Sequence, residues 1–78
     1  MKDDYILKLV FEELKQAQKL HPKWPDDIVH KGAIIAEEAG EVVKAINDYY
    51  FHNRATSSEI IEEVIQTIVV YIRFLQKI

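Results

Sequence analysis

Cysteine is absent from this 78-residue chain, and glycine and proline occur only twice each. Without thiols, neither disulfides nor a thiolate zinc site can reinforce the fold. A surplus of basic charge is also missing. Ten Lys and Arg stand against 13 Asp and Glu, for a net charge of −3, which argues against a nucleic-acid polymer as partner, because such binding needs a basic surface to neutralise phosphates. No apolar run reaches the roughly 18 residues of a membrane-spanning helix. Met1-Lys2-Asp3-Asp4 lacks the basic-then-apolar order of a secretory leader. No membrane partner is therefore expected, and the cytoplasm is the expected location.

The length allows one domain, residues 1–78. A chain of this size buries only about 60% of the surface exposed on unfolding, so its own core is marginal. The hydrophobic fraction is 49%, high for so short a chain. Bound metal on carboxylates and self-association are the two remaining sources of stability.

The scarcity of breakers predicts long helices and an all-α fold. The first helix spans about Asp4 to Leu20, with Ile6, Leu7, Val10, Phe11, Leu14 and Ala17 on one face and Asp3 or Asp4 as cap. His21-Pro22-Lys23-Trp24-Pro25 breaks it. A second helix runs from about Asp27 to Phe51, capped by Asp26 or Asp27. Gly32 and Gly40 inside it each cost about 1 kcal/mol against alanine, which predicts a close helix crossing. After a turn over 52–58, Ser57 or Ser58 caps a third helix that reaches the end of the sequence.

That third helix is apolar over most of its circumference. At about 100° per residue, Val64, Leu75, Ile68, Ile61, Ile72 and Ile65 span an arc of about 100°, and Val70, Phe74, Ile60 and Tyr71 widen it beyond about 200°. Two other helices of one short chain barely cover such an arc. The prediction is a homodimer or homotetramer, with three-helix chains assembling into a four-helix-bundle-type core.

Two acidic segments share one pattern. Glu37-Glu38-Ala39-Gly40-Glu41 lies on the second helix and Glu62-Glu63-Val64-Ile65-Gln66 on the third. A spacing of three puts Glu38 and Glu41, and likewise Glu63 and Gln66, on common faces. Glu38 neighbours Ile34, Val42 and Ala45, while Glu63 neighbours Ile60, Thr67 and Val70. Carboxylates at an apolar boundary need compensation, and a hard divalent cation supplies it. Magnesium fits oxygen ligands best, with manganese as the alternative. A hairpin turning near residue 54 or 55 leaves Glu41 about five residues, or roughly 7 Å, out of level with Glu63.

These residues resemble the MazG-like nucleoside triphosphate pyrophosphohydrolases, an all-α superfamily whose signature is ExxE, a spacer, then ExxD. Glu38 and Glu41 match the first half, and Glu63 opens the second after 21 residues. The string from Ala36 to Val42 is close to the family's usual wording. The likeness covers the second and third helices. It departs at Gln66, where the family usually has aspartate, and a fourth helix seen in many relatives has no counterpart here. The resemblance implies a magnesium-dependent enzyme that cleaves a nucleoside triphosphate between its α and β phosphates. It implies Glu38, Glu41, Glu63 and Gln66 as metal ligands and makes Glu37 the candidate to orient or deprotonate the attacking water.

Trp24 is a core plug or a platform for a base. Lys31, Lys44, Arg54 and Arg73 could each meet phosphate, and Arg73 stands out because its helix is otherwise apolar. The candidate substrate-binding residues are thus Trp24, Lys31 and Arg73. Tyr49, Tyr50 and Phe51 are expected to pack on the first helix or on a partner subunit. A rival function is a non-catalytic helical module that binds nucleotide or only self-associates, which the neutral Gln66 favours.

Overall fold

The computed structural model describes Met1–Ile78 and contains three helices, α1 (Asp3–Leu20), α2 (Ile28–Tyr50) and α3 (Ser57–Gln76), with no strand. No helix is long and apolar enough to cross a membrane. Each start has a local cause. Asp3 and Asp4 lie within the first turn of α1, favourable there against the positive helix end, whereas the cap position is Lys2 and makes no side-chain bond. The Asp27 carboxylate accepts from the Val29 amide at 2.9 Å and starts α2. For α3 the cap is Thr56, not Ser57 or Ser58. The Glu59 amide donates to the Thr56 hydroxyl at 3.2 Å, and the Thr56 amide donates back to the Glu59 carboxylate at 2.8 Å. This reciprocal box satisfies two amides that would otherwise lack partners.

Packing places α3 between the other two, and α1 and α2 do not touch each other. Val10, Ile65 and Val69 form the core between α1 and α3, joined by Ile6, Leu9, Leu14, Ala17, Ile68 and Ile72. Ala45 is the buried apolar residue of α2. Only six residues of the chain are buried, so the interior is small.

One expectation fails here and another is narrowed. No close crossing occurs at Gly32 or Gly40, since an added Cβ at either would meet nothing within 4 Å. Of the two places expected for Tyr49, Tyr50 and Phe51, α1 is not the one, since all three are exposed and do not reach it; the Tyr50 and Phe51 rings meet edge-on at 4.8 Å.

The turn from α2 to α3 sets the register of the hairpin. Asn53 takes a positive φ of 51°, a conformation its short polar side chain tolerates, and the Arg54 amide bonds back to the Asp48 carbonyl at 2.9 Å. Farther along, the Thr67 hydroxyl reaches both the Glu63 carbonyl on its own helix at 2.8 Å and the Glu38 carbonyl across the interface at 3.3 Å. Thr67 is therefore level with Glu38, and the hairpin centre falls between residues 52 and 53.

Candidate metal centre

That register brings the acids together. With Thr67 opposite Glu38, Glu41 lies about one residue from level with Glu63, and the mismatch expected from a later turn disappears. One ligand oxygen from each of Glu38, Glu41 and Glu63 lies within 4.8 Å of the other two. Oxygens on opposite sides of a magnesium ion, each about 2.1 Å from it, are about 4.2 Å apart. A shift of about half an ångström in the side chains would close the set on one ion.

Two of these carboxylates are short of partners. Oε2 of Glu38 and Oε2 of Glu63 are both buried and accept no hydrogen bond, an arrangement that costs energy unless something else neutralises it. Glu38 is held above its ordinary pKa by burial first, then by the charges of Glu41, Glu63 and Glu37. Glu63 is raised in the same direction by burial first, then by the close approach of the Glu41 carboxylate and the charge of Glu62, with Lys44 opposing. Crowded carboxylates in a partly desolvated seam take up either a proton or a cation. The oxygen-only donor set fits a hard divalent cation.

Two hollows meet at this cluster. A cavity of about 610 Å³ on the turn side is lined by Glu41 and Glu63, with Asp48, Glu59 and Glu62 as further acids and Lys44 and Arg54 as its bases. Lys44 is ion-paired with Asp48 at 2.9 Å. A cleft of about 520 Å³ lies on the other side, between α1 and α2, with Val69, Val70 and Gln66 of α3 among its floor residues. Glu38 and Ile34 line it from α2, Ala17 and Leu20 from α1, and Trp24 from the connecting loop. Gln66 is thus beside Glu38 in the cleft.

The remaining candidates are placed as follows. Glu37 is exposed, next to Glu38. Trp24 is half-buried, with its indole N–H buried and unpartnered. Arg73 is buried, but its guanidinium stacks on Trp24 at 4.7 Å and donates to the His21 carbonyl and, at 3.4 Å, to that of Ala17. It satisfies the carbonyl end of α1. Lys31 is buried at the opposite end of the α2–α3 seam from the acids, where it donates to the Lys77 carbonyl at 3.3 Å and lies 6.0 Å from the Phe74 ring. The bases in the cavity beside Glu41 and Glu63 are Lys44 and Arg54, whereas Lys23 and Arg73 line the cleft that Glu38 enters. Lys44 follows Glu41 by three residues, and that spacing was the available signal. Thr67, which fixes the register, follows Glu63 by four.

No family model, curated protein or solved structure matches this chain.

Proposed function

We propose that this chain is a magnesium-dependent nucleoside triphosphate pyrophosphohydrolase of the MazG-like kind, cleaving between the α and β phosphates to give monophosphate and pyrophosphate. The observation that carries the reading is the convergence of Glu38, Glu41 and Glu63, with two of their buried oxygens unpartnered. These residues would hold the cation, magnesium or manganese. Bound there, it supplies charge neutralisation for the phosphates and a polarised water. Gln66 offers a neutral oxygen from the cleft side. Glu37 orients the attacking water and takes its proton. Lys44 and Arg54 face the phosphate tail from the cavity beside Glu41, while the cleft beside Glu38 takes the base and sugar, with the indole N–H of Trp24 free to donate. The protein works as a homodimer or homotetramer in the cytoplasm.

Neutral Gln66 in the second motif favours one other reading, a module that binds nucleotide without cleaving it. A panel of nucleoside triphosphates incubated with millimolar magnesium separates the two. The enzyme releases monophosphate and pyrophosphate in equal amounts. Diphosphate with orthophosphate means attack at the terminal phosphate and overturns the assignment, and bound nucleotide with no product favours the module.

A further inference from the structure

Because α3 lies between two helices that do not touch, it has two faces that no helix covers. One floors the cleft. On a projection of about 100° per residue, the other is roughly opposite and carries Ile61, Val64, Tyr71, Leu75 and Ile78, with Ile68 at its edge where it also packs on the α1–α3 core. Their spacing alternates three and four, the repeat of a helix-pairing seam. Ile61 and Val64 are each 38% exposed, Tyr71 49% and Leu75 66%. Every charged residue of α3 and its C-cap (Glu59, Glu62, Glu63, Arg73 and Lys77) falls within an arc of about 100° on the cleft side. On α1, Leu7 and Phe11 are exposed as well, and the same projection puts them on the shoulder of the apolar face.

The exposed area of the whole chain leaves a second copy room to cover this face. The chain exposes 5978 Å², whereas a folded monomer of its 9.1 kDa mass exposes about 4,900 Å² by the usual scaling. The excess is about 1,100 Å², and a standard interface buries about 800 Å² per partner. A self-complementary patch of this kind suits a twofold axis, in which each copy offers the same surface.

We infer that the face of α3 bearing Ile61, Val64, Ile68, Tyr71 and Leu75 docks a second copy of this chain. The acidic cluster and its cleft then face outward, complete within each protomer. This inference specifies the self-association proposed above and stands independently of the metal site.

Light scattering on the parent and two variants tests it. The parent has twice the 9.1 kDa chain mass. The Val64→Lys, Leu75→Lys variant places two charges in the seam and has the mass of one chain. Val43→Lys, the same change on the outward side of α2, retains the parent mass. Manganese affinity of the single-chain variant stays within twofold of the parent's, because the site lies on the other face. A monomeric parent, a seam variant that stays paired, or an equal effect of Val43→Lys overturns the assignment. Loss of manganese affinity in a folded single-chain variant overturns the outward-facing arrangement, whereas a parent that pairs but binds no manganese contradicts only the metal site. If the seam variant fails to fold, single cysteines decide the matter in this cysteine-free chain. Tyr71→Cys cross-links to a covalent pair with a flexible bismaleimide and Val43→Cys does not; the reverse pattern refutes the interface.

Discussion

Replacing Arg73 by leucine separates a structural role from phosphate binding. The buried guanidinium has no carboxylate partner; the carbonyls of His21 and Ala17 and the ring of Trp24 compensate its charge. A hydrogen bond to a charged group contributes about 1.5–3 kcal/mol, and a stacked cation about 0.5–2 kcal/mol. The 3.4 Å bond to Ala17 adds little, and that carbonyl keeps the His21 amide as a partner. Leucine recovers part of the packing, so Arg73→Leu should destabilise the fold by about 3 kcal/mol. For a domain this small that lowers the melting midpoint by roughly 15–20 °C. Arg73→Lys restores the charge but not the planar fork, and recovers about half of the loss. Trp24 is the sole tryptophan, so urea unfolding followed by its fluorescence reads the contact directly. A leucine variant within about 0.5 kcal/mol of the parent would refute this account, and if it also lost nucleotide affinity, Arg73 would be a phosphate ligand after all.

Three further outcomes follow from local geometry. Gly40→Ala should stabilise the protein by about 1 kcal/mol in thermal unfolding, since the added methyl meets nothing and the helix gains propensity; a loss would mean that another surface packs against that position. Thr56→Ala removes the cap of α3 and should cost about 1 kcal/mol, read from the urea midpoint, and no change would mean the box does not persist in solution. The raised pKa values of Glu38 and Glu63 make the metal-free protein sensitive to pH. Their protonated forms are favoured in the fold, so this stabilising contribution is complete below the ordinary value of 4.5 and is lost as pH rises through the elevated folded value. Chelator-treated parent should therefore lose more stability than Glu38→Gln between pH 4.5 and 7. Asp48 shifts the opposite way, and its window lies below 3.8, outside this range. Equal slopes in the two proteins would show that Glu38 is not desolvated.

Helix periodicity made the three helices legible, and the two prolines of the connecting loop, Pro22 and Pro25, marked the first break to within a residue. The paired ExxE-like segments likewise pointed to the grouping of Glu38, Glu41 and Glu63. What remained hidden depended on register. Thr56-x-x-Glu59 spells a capping box, yet adjacent serines are equally good caps in isolation, and only the reciprocal bond selects Thr56. The level of the hairpin rests on the left-handed Asn53 and the hydroxyl of Thr67, neither of which alters hydrophobic periodicity. Arg73 and Lys31 show the same limit. Periodicity identified each as basic among apolar neighbours, but not that backbone carbonyls from another segment occupied them.

Manganese binding followed by electron paramagnetic resonance tests the central claim most directly, because the free ion's signal falls as carboxylates capture it. The account predicts a site in the parent that magnesium displaces, and at least tenfold weaker binding in Glu38→Gln and in Glu63→Gln, each of which removes one charge from the cluster while preserving its shape. A parent that leaves the free manganese signal unchanged at millimolar protein, or glutamine variants that bind as tightly as the parent, would contradict it.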